Sequence, residues 1–365
     1  MYAARYAVCR RQFQTIKGSE EERKLLDYQL HMDTICKQLS NAITINQVMQ
    51  DLIKLEGQSQ REISNGSFKL LDILHHFSSG MKALGTDMVY VGIDELRQAC
   101  GGAGFLMSSG IADLWGEQAP FPTFEGVNVI MYQQSSRMLL KQVAKVLAGK
   151  TPNEFFAYLS KMNELLSGKS TARSTEEFLE HDHLQRALAT NACYLVKKVY
   201  TMLSESKASS KTKQNELFAM DVNRMTKAHL IYICYERACK SLMAKKVADQ
   251  NIKKAFMNLY ANFALKQLSL DCVSLYETGF FGPGSNDLLL AAYKQTLIEM
   301  RPNVIGLVEL LPEGSYATSI GNKYGDIYEA QYEIAKNSRL NNDGVPDLYY
   351  THIKPVMQMV PTPKL

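Results

Sequence analysis

The sequence has no run of about eighteen apolar residues, so no segment has the makings of a membrane-spanning helix. It has little charge of one sign. A formal net charge of +4 over 365 residues, with the basic residues dispersed, leaves no electrostatic footprint for nucleic acid. One or two placed arginines would still suffice for a phosphate-bearing substrate. The seven cysteines include no Cys-x-x-Cys pair and lie scattered through apolar helical patterns, which excludes a zinc ribbon and reads as buried thiols in a reducing compartment. Strand patterns are almost absent, and there is no internal repeat or low-complexity tract. The first residues, Met1-Tyr-Ala-Ala-Arg-Tyr-Ala-Val-Cys-Arg-Arg11, have neither the apolar core nor the cleavage site of a secretion signal. They read as the interior of a helix, as though the chain started part-way through a larger fold.

With 46% hydrophobic and 21% charged residues, the composition is that of an ordinary globular protein. The length leads to an expectation of roughly two to three domains. A helix is expected from Tyr2 to about Ile16, broken by Lys17-Gly18-Ser19-Glu20. A second carries Tyr28, Met32, Ile35, Leu39 and Ala42 at spacings of four and three and continues through Val48, Leu52 and Leu55 to Gly57. Asn65-Gly66-Ser67 marks a turn or helix start before Phe68, Leu71, Leu74 and Met81, and a further helix is expected from Met88 to Cys100. Four or five such helices with short turns form an antiparallel bundle most economically.

Regular structure resumes near Asn128 and runs to Leu147, and Thr151-Pro152-Asn153-Glu154 reads as a helix start with proline at its first position. The small, polar stretch from Leu166 to Thr175 precedes a second bundle. There Leu184, Leu188, Ala192, Leu195, Val199 and Met202 repeat the four-three spacing, as do Ile252, Phe256, Leu259 and Phe263. Residues 279–284 form a turn, an amphipathic run spans Leu288 to Met300, and Pro302, Pro312 and Gly314 punctuate short segments. A last helix is expected from near Leu348, ending or kinking at Pro355. The expected fold class is all-α: two helical bundles, residues 1–150 and 176–365, joined by 151–175.

Chemistry concentrates in residues 97–137. Gln98 precedes a glycine cluster, Gly101-Gly102-Ala103-Gly104, where missing Cβ atoms let a ligand approach the backbone. The loop that follows is long for a compact domain, which points to function. In it Glu125 stands between Phe124 and Gly126. A carboxylate beside an aromatic ring would be partly desolvated and a stronger base, so one reading is a general base beside a flat cofactor. The other is a glycine turn and an acidic cap before the next helix. The glycines follow a helix and not a strand, which argues against a Rossmann dinucleotide loop. His181-Asp182-His183 and His75-His76 place neighbours on diverging helix faces. They are therefore poor metal chelates, read as solvated surface, and no metal site is expected. Cys234 and Cys239 read as core.

Four motifs occur in order: Arg5-Tyr6-Ala7-Val8-Cys9-Arg10-Arg11-Gln12-Phe13, Leu26-Asp27-Tyr28-Gln29, Gln98-Ala-Cys-Gly-Gly-Ala-Gly-Phe105, and Phe124-Glu125-Gly126-Val127-Asn128. In order and spacing they resemble the second half of the acyl-CoA oxidases. The resemblance continues past residue 150, where acyl-CoA dehydrogenases stop, more loosely through Asp271-Cys272, Glu277-Thr-Gly-Phe-Phe281, Tyr324-Gly325-Asp326-Ile-Tyr328-Glu329 and Asn337 to Asn342. It implies a peroxisomal, homodimeric FAD enzyme that oxidises fatty acyl-CoA to trans-2-enoyl-CoA and passes the electrons to O2, giving hydrogen peroxide.

Glu125 matches the family's catalytic base. Arg10 matches the arginine that meets the FAD pyrophosphate, and Phe13 packs beside the cofactor. Gln98, Gly101 and Gly102 match the segment receiving the adenosine part, usually from the neighbouring subunit, and Asn128 matches a position tied to FAD. Two positions depart from the pattern: Ala103 replaces a frequent His, and Val127 a usual acidic residue or Thr. The family's N-terminal helical domain and β-barrel have no counterpart in this sequence, which leaves a second implication, a non-catalytic helical assembly subunit. The tail Pro363-Lys364-Leu365 resembles the Ser-Lys-Leu peroxisomal address.

Overall fold

The computed structural model describes residues 1–15, 17–245, 247–311, 318–322, 325–342 and 349–359. The chain opens with α1 (Tyr2–Cys9), which stops at Arg10, where the backbone turns extended. Strands β1 (Arg11–Gln14) and β2 (Glu22–Lys24) then pair antiparallel, Arg11 opposite Lys24 and Gln14 opposite Glu22. This corrects the single helix expected to Ile16. Arg11-Gln-Phe-Gln has no alternating pattern to betray a strand; the pairing with β2 and the bond from Tyr28 Oη to the Gln12 carbonyl (2.8 Å) hold it.

The long helix α2 (Gln29–Ser64) runs beyond the expected end at Gly57. The two helices expected between Phe68 and Cys100 are one, α3 (Leu71–Ala99). The loop after Gly101 contains a short helix, α4 (Ile111–Gln118), before α5 (Asn128–Leu147). Pro152 lies outside the next helical segment, which starts at Glu154 because the Asn153 side chain accepts the Phe155 N–H as N-cap. That 3-10 segment (Glu154–Lys161) leads into α6 (Met162–Ser167), α7 (Thr175–Leu179, capped by Ser174), α8 (His181–Glu205) and a single turn, α9 (Ser210–Thr212).

The C-terminal helices are α10 (Ala219–Ala244), α11 (Gln250–Leu270), α12 (Val273–Glu277), α13 (Ser285–Met300), α14 (Val304–Val308) and α15 (Ile327–Lys336). Pro355 lies inside the last described helix, Lys354–Met359, whereas Pro312, Gly314, Tyr324, Leu348 and the residues 363–365 fall outside the described residues. The described residues are all-α apart from the hairpin.

One core runs through the molecule. α3 packs on α5, α8 on α10 and α11 on α13, while α2 lies against α3, α10 and α11 and so joins the two halves of the chain. The stripes read from sequence face inward: Ile35, Leu39, Val48 and Leu55 on α2 and Leu184, Leu188, Ala192, Leu195 and Val199 on α8 are all buried. Cys234 and Cys239 are fully buried, as expected of core residues.

The paired histidines are a correction. His76 is wholly buried, and its Nδ1 lies 2.7 Å from the Ser135 carbonyl and its Nε2 3.2 Å from His229 Nε2. His229 Nδ1 in turn lies 2.8 Å from Tyr158 Oη. His183 packs among Phe178, Phe280 and Phe281, and burial lowers its pKa to about 4. His75 stays exposed, whereas His181 also turns toward the core, its Nδ1 lying 3.1 Å from the buried Tyr235 hydroxyl.

Candidate functional site

The candidate residues fall into two groups along α3. The first gathers at its C-terminal end. The His31 ring lies 3.0 Å from the Ala99 carbonyl, which brings the start of α2, and with it the hairpin, to the end of α3. Arg10 closes α1, donating its backbone N–H to Tyr6 and a side-chain Nη1–H to Tyr328 Oη at 2.8 Å. Phe13 is two-thirds exposed with φ of +62°. Gln98 donates to Asp94 Oδ2 at 2.7 Å. Asp94 also takes two bonds from Arg97, and these hydrogen bonds, with the one from Gln98, hold that carboxyl below the usual range. The Arg97 guanidinium lies over Trp115, which stacks on Tyr90.

Gly101 has φ of +58°, a conformation that costs side-chain-bearing residues energy, and the space where a Gly102 Cβ would stand is open to 4 Å. Gly104 differs, because a Cβ there would collide with the Arg97 carbonyl. Gly102→Ala is therefore expected to leave the thermal midpoint unchanged and to act on a ligand alone. Gly104→Ala is expected to destabilise the chain by about 1–3 kcal/mol, read from urea unfolding of the two variants.

The second group sits roughly 20 Å back along α3, counting 1.5 Å per residue from Gln98 to the 83–87 turn. Asn128, buried at the start of α5, shares its amide N–H groups among the Ala83 carbonyl, Thr86 Oγ1 and Asp87 Oδ1 at 2.7–3.2 Å. Its oxygen accepts from Lys82 Nζ at 2.8 Å. The Asn128 side chain is thus held by α3. Lys82 also reaches the Gly126 carbonyl at 2.7 Å, pinning the residue after Glu125. Asp87 accepts the Tyr132 hydroxyl at 2.9 Å and has Lys227 at 3.7 Å. Tyr132 is almost wholly buried, and burial with the adjacent carboxylate raises its pKa. Sequence reasoning missed Lys82, Thr86 and Asp87; their spacings of four and five on an apolar helix were the available sign.

Glu125 itself has φ of +55°. Among the described residues, the two non-glycine positions with left-handed backbone are Phe13 and Glu125, and both were singled out from the sequence. Such strain persists only where the surroundings over-determine it and clusters at functional sites. Glu125 is exposed, and Phe124 packs edge-on against Phe121, ring centres 4.9 Å apart. The enclosure expected from Phe124 is therefore not supplied by this chain. Instead Phe121, Phe124, Val127, Val129 and Ile130 form an exposed apolar surround. A cleft of about 550 Å³ among α2, α3, α10 and α11 is lined by Asp87 and Tyr132 of the second group and by Met88, Val91, Lys227 and Gln267.

The family model for the acyl-CoA oxidase C-alpha1 domain matches residues 1–140, and that for acyl-CoA oxidase matches residues 180–358. The chain belongs to the acyl-CoA oxidase family. Peroxisomal acyl-coenzyme A oxidase 1 of Arabidopsis thaliana is 29% identical over 366 residues, covering 98% of this chain and 53% of the relative. The same-named mouse enzyme is 28% identical over 364 residues, covering 97% and 54%. Among solved structures, Arabidopsis thaliana acyl-CoA oxidase 1 superposes with a TM-score of 0.90 at 27% identity, over 98% of this chain and 54% of that one. Acyl-CoA oxidase-1 of Caenorhabditis elegans, complexed with FAD and ATP, gives 0.85 at 25% identity, with 98% and 54% covered. The chain spans about half the length of the relatives it matches and corresponds to the C-terminal half of these oxidases.

Proposed function

We propose that this chain is the C-terminal half of a peroxisomal FAD-dependent acyl-CoA oxidase that converts fatty acyl-CoA to trans-2-enoyl-CoA with O2 reduced to H2O2. The carrying observation is Glu125, exposed, held in left-handed backbone and followed by a carbonyl pinned to Lys82. Its carboxylate is exposed and so open to a substrate, and the left-handed backbone sets the direction in which the side chain leaves the main chain. In this reading Glu125 takes the proton α to the thioester. Bound flavin supplies the hydride acceptor and the route to O2.

The residues fit such a cofactor. Arg10 offers a guanidinium to the pyrophosphate. Gly101 and Gly102 offer open backbone for close approach, with Gln98 beside them as a polar partner. Phe13, Phe105 and Met107 give exposed apolar surface at the same end of α3. Asn128 acts here through position, locking the start of α5 to α3 beside Glu125. The resemblance assigns the Gln98 segment to the flavin of a neighbouring subunit, so the two groups on one α3 serve two different flavins across a homodimer. Residues 1–150 then form the flavin-facing domain, 176–365 the second helical domain, and 151–175 their connection. The peroxisomal names of the relatives support that location.

The test is visible absorbance of the purified chain with added FAD. Bound flavin supports the oxidase reading. Protein that stays colourless counts against an active oxidase in this form and favours a helical assembly subunit without catalysis.

A further inference from the structure

The C-terminal segment around Gly325-Asp326-Ile327-Tyr328 is strapped onto α1. Arg5, buried in α1, forms a bidentate pair with Glu309 (2.9 and 3.1 Å) and donates to the Gly321 carbonyl at 3.1 Å. Gly321 lies so close to Tyr2 that a Cβ would stand 2.5 Å from its Cα. Ser319 N–H bonds the Ser108 carbonyl at 2.7 Å, tying the same strap to the loop after Gly104. Gly325, with φ of +75°, approaches the last residue of α1 so closely that a Cβ would lie 2.9 Å from Cys9 Sγ. Ile327, buried, then anchors the start of α15. The next side chain, Tyr328, reaches Arg10: Oη accepts Nη1–H at 2.8 Å, and the guanidinium carbon lies 5.7 Å from the ring centre.

Arg10 stands just past a helix end, where a long side chain is otherwise free to sample many rotamers. A hydroxyl and a ring face holding one edge of the guanidinium remove that freedom before any anion arrives and leave further N–H donors of its planar fork to face outward. Pre-ordering of this kind raises affinity by lowering the entropy lost on binding. We propose that Tyr328 is a positioning residue that presents the Arg10 guanidinium to the pyrophosphate of a nucleotide, making α15 part of the flavin site. This rests on the reading of Arg10 given above. It gives a role to a C-terminal motif that the catalytic chemistry leaves unused.

The experiment is calorimetric titration of the chain with ADP, for wild type, Tyr328→Phe, Tyr328→Leu, Arg10→Ala and the Arg10→Ala/Tyr328→Phe pair. Tyr328 is more than half exposed, so its variants fold, and thermal midpoints check this. Arg10→Ala is expected to weaken ADP about tenfold or more, Tyr328→Phe about threefold, and Tyr328→Leu further, with the double variant no weaker than Arg10→Ala alone. That non-additivity is what a merely structural tyrosine would not produce. If binding depends on Arg10 while Tyr328→Phe is neutral or simply additive, the positioning role is overturned and the reading of Arg10 stands. If ADP does not bind, or binds regardless of Arg10, both fall.

Discussion

Replacing Glu125 with Gln in an acyl-CoA oxidase containing this chain is expected to leave flavin content unchanged and to lower turnover on acyl-CoA about 10²- to 10⁴-fold, the range a positioned general base contributes. The substitution keeps side-chain length and the left-handed backbone that residue 125 already adopts, so the bond from Lys82 to the Gly126 carbonyl and the Asn128 knot persist. What disappears is the capacity to accept a proton. Flavin absorbance and steady-state rate measured on the same preparation separate the two effects. Near-normal turnover would remove Glu125 from the chemistry, and flavin loss with a proportional fall in rate would make it a binding residue instead.

Acid should loosen the junction between the halves of the chain well before carboxylates titrate. The Ser135 carbonyl only accepts, so His76 Nδ1 carries the proton and its Nε2 is bare. His229 Nε2–H then donates to it, and His229 Nδ1 accepts the Tyr158 hydroxyl. Both imidazoles are neutral in the folded chain. Burial lowers the pKa of His76 to about 4, with His75 as a further cationic deterrent, and lowers that of His229 well below its usual value, with His76 as the deterrent. Around them stand His75, Cys193 and Tyr232, none a carboxylate that could pay for a proton. The folded state therefore binds fewer protons than the unfolded one. Stability is intact above pH 6.5 and falls as pH drops, by about 1.4 kcal/mol per pH unit for each imidazole, until the folded pKa is reached near pH 4 for His76. Urea unfolding at pH 7, 6 and 5 checks this. His76→Asn with His229→Gln should be weaker at pH 7 and flatter toward pH 5. A wild-type curve flat between pH 6.5 and 5 would contradict the burial argument.

Much of this was legible in the chain. The stripes on α2 and α8 could be read because helix periodicity and burial are both local properties of a repeated side chain, as Leu39, Val48, Leu188 and Val199 show. Arg10, Phe13, Gln98 and Glu125 could be singled out because unusual residue types recur there at family spacings. The rest depends on partners far away in sequence. The β1 strand exists because β2 and Tyr28 meet it, and nothing in Arg11-Gln-Phe-Gln announces that. His76 reads as surface until α10 supplies His229, 153 residues on. The Lys82 bond that places Glu125 and the Tyr328 bond that holds Arg10 are likewise long-range, spanning 44 and 318 residues.

The division of one flavin site between two copies is tested most directly by mixing inactive subunits. Glu125→Gln and Arg10→Ala forms of an oxidase containing this chain are co-expressed in equal amounts. If each flavin takes Glu125 from one copy and Arg10 from the other, half the dimers are mixed and each has one intact site. Activity then returns to about a quarter of wild type, as two-fold symmetry requires. Mixtures no more active than the two parents would place both residues at a flavin of the same chain and contradict the account.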